Sequence, residues 1–208
     1  MSVDISVCEL LRWDTKVGIL PIAVGTQKTR LKPTVSFNVS GLCPTKMYRM
    51  WVKIVLRDNY NYKFDKDAGL FYGSSIENVK KYKEMYKEHS ARAQLGSVWQ
   101  NGPINFRDVF LSTRNTPINR AFSVETKRVY TVSLLITTDR FYHVYWFVDP
   151  LLTFVVTSLS SYTRMKPLLE QSSTLNAVEK ENQELCATIP NQAPGINLEE
   201  TEILSQPS

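Results

Sequence analysis

Between residues 34 and 56 the chain alternates apolar and polar side chains, pauses at a turn, and alternates again. In Thr34-Val-Ser-Phe-Asn-Val-Ser40, Val35, Phe37 and Val39 share one face. In Met47-Tyr-Arg-Met-Trp-Val-Lys-Ile-Val-Leu56, Tyr48, Met50, Val52 and Ile54 do the same. A period of two puts alternate side chains on opposite faces of an extended chain, so both segments read as strands. Gly41-Leu-Cys-Pro-Thr45 between them is turn chemistry. A strand with one apolar face must bury it against a second layer, which commits the chain to packed sheets. Asp58–Phe64 reads as another strand or hairpin arm. Asn105–Leu111, Arg128–Thr137, Phe141–Phe147 and Leu152–Leu159 read as further strands, and Leu20–Val24 is a short apolar run. Val3–Trp13 reads as one short helix or a turn-rich arm, and lysine-rich Val79–Glu88 as a helical turn or an extended loop. Six to eight short strands with few helices predict an all-β chain with short helices, a β-sandwich or barrel.

The 208 residues suit one domain with a tail, and 43% hydrophobic content provides for a core. After Leu175 the aromatics stop and Glu, Gln, Pro and Ser take over, which predicts about 30 residues of disordered tail. Charge divides at the same place. Residues 172–208 hold six Glu and one Lys, net −5, while the preceding 171 residues hold 24 basic and 14 acidic side chains, net +10. A body that basic either attracts polyanions, nucleic acid first, or keeps its charge for solubility. No apolar run reaches the roughly 20 residues of a membrane helix, since the longest, Tyr145–Val156, is interrupted by Asp149 and Pro150. The opening Met-Ser-Val-Asp predicts no secretory signal. Three scattered cysteines, Cys8, Cys43 and Cys186, suit neither a disulfide framework nor a zinc site, and point to a reducing compartment.

Catalytic chemistry is absent from the pattern. His89 and His143 are far apart, and His143 sits among aromatics, where a structural role is expected. No GxSxG, P-loop or GxGxxG sequence occurs. Asn38-Val-Ser40 lies inside a predicted strand and is discounted as a glycosylation site. The expectation is a non-enzyme with no cofactor and no metal. Basic residues do cluster. Lys28, Arg30 and Lys32 alternate before Pro33, Lys127-Arg128 enters a strand, and Arg164 and Lys166 follow the last apolar strand beside serines and threonines. Such groups suit phosphate contact, and arginine can also bond a guanine edge bidentately. Lys80, Lys81, Lys83 and Lys87 read as a solvated face.

Several segments, in order, resemble the T-box DNA-binding domain. The strongest is Arg30-Leu-Lys-Pro-Thr-Val-Ser-Phe-Asn-Val-Ser-Gly-Leu-Cys-Pro-Thr-Lys-Met-Tyr48. It is similar to the family's basic residue, apolar-x-Pro, strand, Ser/Thr-Gly-Leu and x-Pro, followed by a Tyr-bearing strand. Ile54-Val55 with Asp58 to Tyr62-Lys63-Phe64 resembles the "D-I-V…D…R-Y-K-F" stretch. His89, Gly96 and Trp99 keep the spacing of "H-P-D-S-P-A-T-G-x-x-W". Pro103-Ile-Asn-Phe106 with Leu111-Ser112, and Phe154-Val-Val-Thr157, resemble "P-V-S-F…L-T" and "F-x-A-V-T-A-Y-Q-N". Together these span roughly residues 6 to 178.

The resemblance implies an immunoglobulin-like β-sandwich of the T-box type over residues 1–178, with 179–208 an acidic tail. It implies a nuclear, sequence-specific transcription factor that binds double-stranded DNA elements of the TCACACCT type, as a monomer or weak dimer. Basic loops and a C-terminal minor-groove segment make the contacts. Carried over by motif, Arg30 is the candidate for a guanine or its phosphate, Lys127 matches the lysine of "H-K-Y", and Thr157 matches a phosphate-contacting threonine. The candidate DNA-binding set is Arg30, Lys32, Lys127, Arg128, Thr157, Ser160, Ser161, Arg164, Lys166 and Leu175. The acidic tail is a candidate contact for co-regulator proteins or a solvated remnant. The chain departs from the family's pattern at several points. Thr29 replaces the first of two arginines, Ser90–Leu95 replaces the proline-rich turn, and Ser158-Leu-Ser-Ser161 replaces "A-Y-Q-N". Leu175 stands where a phenylalanine wedge is usual, with Glu179 close behind, and Pro167 can stop the helix from forming in the usual place. These departures leave an alternative: a T-box-like sandwich that works by protein–protein contact without strong DNA binding.

Overall fold

Two alternating segments cannot bury their apolar faces on each other and on water at once, and the chain resolves this by building opposed layers. The computed structural model describes residues 2–9, 12–13, 18–76, 86–114, 121–138, 143–167 and 169, all within the unit Met1–Ser172. Among the described residues the strands run β1 (Asp4–Val7), β2 (Leu20–Ala23), β3 (Thr29–Arg30), β4 (Val35–Ser40), β5 (Met47–Leu56), β6 (Tyr60–Asp65), β7 (Leu70–Ile76), β8 (Tyr86–Glu88) and β9 (Gln94–Leu95). They continue with β10 (Ile104–Phe106), β11 (Phe110–Ser112), β12 (Phe122–Ser123), β13 (Val129–Thr138) and β14 (His143–Thr157). Helix α1 (Gly96–Trp99) precedes β10, and helix α2 (residues 159–167) follows β14.

The main sheet has the order β2-β14-β13-β5-β8, with β9 also on β5. The smaller sheets β1-β4-β10 and β12-β11-β3 share its core. Val52, Leu134 and Phe147 lie side by side across β5, β13 and β14. Phe37 on β4 meets Phe147 edge-on at 6.0 Å and Phe106 at 6.2 Å, an arrangement aromatic rings favour. Val35, Phe37, Met50, Val52, Leu134 and Ile136 are fully buried, so both alternating segments face inward as their period requires. This all-β architecture with short helices matches the expected fold class.

Local departures from the sequence reading have physical causes. Residues 4–7 form a strand, not a helix. β1 pairs antiparallel with β4, and Val3, Ile5 and Val7 pack on the core with period two. Asn105–Leu111 divides at the turn around Arg107 and Asp108 into β10 and β11, which join different sheets. The two segments expected on either side of Asp149-Pro150 are one strand, β14. Thr131 pairs with Thr153 and Ser133 with Val148, so residues 149–152 bulge out of the ladder and proline loses no ladder bond there. The bulge is tied down by Leu151 N–H donating to Asp149 Oδ1 (2.9 Å) and Thr153 Oγ1 donating to the Pro150 carbonyl (3.2 Å). Strand β7 was not anticipated, and Leu159, read as the end of a strand, is an exposed residue of α2. Of the lysine-rich segment, only Tyr86–Glu88 is described, as β8 on the edge of β5. The tail from residue 170, Cys186 and the His143 side chain lie outside the described residues, while Cys8 and Cys43 are partly buried free thiols.

The His89–Gly96–Trp99 spacing is a packing device. Trp99 donates its indole N–H to the Tyr48 carbonyl at 2.9 Å. A Cβ at Gly96 would stand 2.3 Å from the Cys43 carbonyl oxygen, so only glycine lets α1 approach the turn before β5. His89 Nδ1 accepts the Ala91 N–H (3.2 Å), which leaves Nε2 to donate to the Asn105 carbonyl (3.2 Å), and its ring meets Trp99 and Phe106 edge-on. Burial holds its pKa below the ordinary 6.5, against the opposing pull of the Asn105 carbonyl and Asp108. The fold therefore contains neutral His89, and the unfolded chain takes up the proton first. Stability is full above the unfolded pKa of about 6.5 and declines as pH falls through it toward the lower folded value. Chemical denaturation from pH 7.5 to 5 is expected to show this decline, and His89→Gln to flatten it. Gly96→Ala is expected to destabilise the domain by about 1–3 kcal/mol, read as a lower urea midpoint.

Candidate nucleic-acid interface

Strand ends collect at one edge of the main sheet. Leu56 of β5 pairs with Tyr130 of β13, Val129 with Val155 of β14, and Thr157 with Ala23 of β2. The loops and helix that continue from these ends therefore share one end of the sandwich, and most of the sequence-predicted basic residues are on them.

Lys127 is the junction. Its N–H donates to the Val156 carbonyl (2.6 Å), and its own carbonyl accepts the Tyr62 N–H (2.7 Å). To serve both neighbours it takes φ = 65°, a left-handed conformation that costs a lysine about 1–2 kcal/mol. Its side chain is exposed. Tyr62 is fixed in turn by Asp58 and Arg57. The Tyr62 hydroxyl donates to Asp58 Oδ2 (2.7 Å) and accepts from Arg57 Nη2, while Arg57 Nε reaches the same carboxylate at 3.0 Å. Burial alone would push the Asp58 carboxyl up. Bonds from the Tyr62 hydroxyl, the Tyr60 amide and Arg57 outweigh it and leave Asp58 below the ordinary carboxylate value.

Ser158 caps the N-terminus of helix α2. The Ser158 carbonyl accepts the Tyr162 N–H (2.9 Å), and its hydroxyl accepts the Ser161 N–H (3.2 Å), the geometry of an N-cap. Ser158-Leu-Ser-Ser161 thus still starts a helix. The buried side chain of Met165 fixes the helix to the body. Exposed Ser160, Ser161, Arg164 and Lys166 lie along α2. A groove of about 340 Å³ opens between α2, Lys127 and the β6–β7 hairpin. Lys63, Lys66, Lys127 and Arg164 line it together with the Ser161 hydroxyl, over Phe64, Phe71, Val155 and Met165. Among the described residues none that lines it is acidic, so its cations share an apolar floor, which concentrates positive potential. Lys63 and Lys66 were not singled out in the sequence. The signal available was the alternation of Lys63 with inward-facing Tyr62 and Phe64.

Arg30 belongs to a neighbouring cluster. It pairs with Phe110 across β3 and β11, and its guanidinium lies 5.5 Å from the Phe110 ring, with Lys28 Nζ at 3.7 Å. The ring braces both cations while leaving them exposed. Lys32 is also exposed, one residue past buried Leu31.

Two of the predicted contacts are buried, although Thr157 also borders the groove. Arg128 is only 2% exposed; it donates through Nη1 to the Asn59 carbonyl (2.9 Å) and lies 3.7 Å from Glu125. It ties the 57–59 loop to the start of β13 and offers no surface for phosphate. Thr157 is likewise buried, and its hydroxyl donates to the Ile22 carbonyl at 3.3 Å, so it fastens β14 to β2. Lys127 sits in the exposed turn while Arg128 enters the buried start of β13, which is why adjacent basic residues have opposite fates. Leu175 lies outside the described residues.

The family model for the T-box matches residues 22–163, more than half of the chain. The chain belongs to the T-box family of DNA-binding transcription factors. It is 32% identical over 92 residues to T-box protein 37 of Caenorhabditis elegans, covering 42% of this chain and 26% of that protein. It is 34% identical over 80 residues to the eomesodermin homolog of Mus musculus, covering 38% of this chain and 11% of that protein. The T-box chain therefore spans only about a quarter of the first of these relatives and about a tenth of the second. Its family motifs do structural work at this end of the sandwich: "Tyr-Lys-Phe" holds the hairpin against Lys127, and Thr157 holds the strand from which α2 departs.

The strained backbone of Lys127 separates fold from charge. Lys127→Gly removes the charge and relaxes the backbone, whereas Lys127→Ala removes the charge and keeps the strain. In thermal denaturation the glycine variant is expected to melt at least as high as the alanine variant, although both lose the same cation.

Proposed function

We propose that this T-box chain is a nuclear, sequence-specific transcription factor that binds duplex DNA elements of the TCACACCT type, with residues 1–178 as its binding domain. One observation carries the proposal: the exposed cations Lys127 and Arg164 converge on one groove at the sandwich end where the family motifs lie. Lys127, Arg164 and Lys166, with the hydroxyls of Ser160 and Ser161, bond phosphates and set the register. Arg30, braced over Phe110, reads a guanine edge, and Lys32 adds a phosphate contact beside it. Phosphate contacts supply affinity without sequence information, and the few base contacts supply specificity. In this reading Leu175 is the apolar wedge for the minor groove. The acidic segment 179–208 is a tail that contacts co-regulators, and the domain acts as a monomer or weak dimer on DNA.

A second reading, a T-box sandwich that works by protein contact, is favoured by the outer face of the main sheet. Trp146 is 62% exposed there beside exposed Val148, with Lys53 Nζ 5.0 Å from the Trp146 ring and 5.2 Å from Tyr86. Exposed aromatics of this kind are frequent in protein interfaces.

One substitution tests the assignment of Arg30 within the duplex-binding reading. Arg30→Ala is expected to weaken binding to a TCACACCT duplex by about 1–3 kcal/mol and to relax preference at one base pair, read by fluorescence anisotropy at several salt concentrations. Equal affinity of wild type and variant at every salt concentration would remove Arg30 from the interface.

A further inference from the structure

We infer that the β6–β7 hairpin is a further DNA-backbone contact, in which Lys63 and Lys66 grip a second stretch of phosphates across the groove from Arg164. The inference rests on the duplex-binding reading above and extends it to an element outside the candidate set.

The observations are geometric. Lys63 and Lys66 line the same groove as Lys127, Ser161 and Arg164, and they belong to the hairpin whereas Ser161 and Arg164 belong to α2. The hairpin is held in place by more than its own turn. Tyr62 N–H reaches the Lys127 carbonyl at 2.7 Å, and Phe71 packs on the small cluster of Ile19, Tyr62, Val129 and Val155. Phe64 and Phe71, directly opposite in the antiparallel ladder, meet with ring centroids 5.1 Å apart, which braces the pair of strands. At the tip, Asp65 Oδ1 accepts the N–H of Asp67 (2.9 Å) and of Ala68 (3.1 Å). That carboxylate is thereby occupied in shaping the turn around Lys66. Two cations on a braced hairpin lose less entropy on binding than two on a free loop.

The chemistry of the groove selects the ligand. Its rim is cationic on both sides, and its floor is apolar: Phe64, Phe71, Val155 and Met165. A sugar–phosphate strand presents the matching pattern, anionic oxygens on the outside and deoxyribose carbons between them. The phosphates of one strand meet Lys63 and Lys66 on one wall and Lys127 and Arg164 on the other, while the sugars rest on the rings. A carboxylate-rich peptide would satisfy the rim alone.

Lysine contacts of this kind act through counterion release, which steepens the fall of affinity with salt by about 0.9 in logarithmic slope per phosphate neutralised. The test measures affinity of the full chain for one TCACACCT duplex over a salt series. It compares wild type, the double variant Lys63→Ala with Lys66→Ala, and a control, Lys46→Ala with Lys87→Ala. The control removes equal charge from positions that do not line the groove. The hairpin variant is expected to lose about two units of slope. Its deficit against wild type should then shrink about tenfold between roughly 50 and 200 mM salt, with base preference unchanged. The control should keep the wild-type slope. A hairpin variant with the wild-type slope, or a control that flattens equally, overturns this inference and leaves the duplex-binding reading standing. A wild type whose affinity for the duplex is independent of salt overturns both. A variant that melts below wild type is replaced by Lys63→Gln with Lys66→Gln, which retains the side-chain stems, and is held to the same slopes.

Discussion

The backbone of Lys127 joins three parts of the molecule that are distant in sequence. Through its N–H it holds Val156 near the end of β14, and through its carbonyl it holds Tyr62 at the root of the hairpin. Helix α2 leaves β14 two residues after Val156, at Ser158. Two backbone hydrogen bonds therefore set the spacing of both walls of the groove, and the side chain of the same residue points into it. The left-handed backbone that this demands is a local cost, offset by packing of the surrounding strands. The Arg57–Asp58–Tyr62 network and buried Arg128 brace the same junction from behind. Charged residues here divide into those that fix the scaffold and those that the scaffold displays.

That division marks how far the sequence could be read. The strands of the core were legible because one face of each is buried: a one-residue slip would turn Val35, Phe37 and Val39, or Tyr48, Met50 and Val52, out of the core. The bulge in β14 was not legible, because Asp149-Pro150 breaks an isolated strand but is tolerated where β13 slips its register. β1 was misread because its alternation is short and shallow, with Val3, Ile5 and Val7 only partly buried. At the candidate interface, the identity of the basic positions was visible and their direction was not. Lys127 and Arg128 are neighbours, and no composition rule says which faces water. Lys63 and Lys66 were outside the candidate contact set because they gain meaning only when the hairpin folds against Lys127 and α2.

The substitutions that set this T-box chain apart from its family's pattern change chemistry more than architecture. Ser158-Leu-Ser-Ser161 retains an N-cap and a helix, so Arg164 and Met165 still reach the groove. Ser90–Leu95 lacks the usual prolines, yet His89 keeps both ring nitrogens bonded and both aromatic neighbours. The basic body, net +10 before residue 172, supplies long-range attraction to any polyanion. In the function proposed above, specificity is assigned to far fewer groups, with Arg30 foremost.

Selection of preferred duplexes from a random pool by the full chain tests the central claim most directly, because it reads binding and base preference together. The account predicts enrichment of a TCACACCT-type element that disappears at high salt. Recovery of an unenriched pool, retained without regard to sequence, would contradict it.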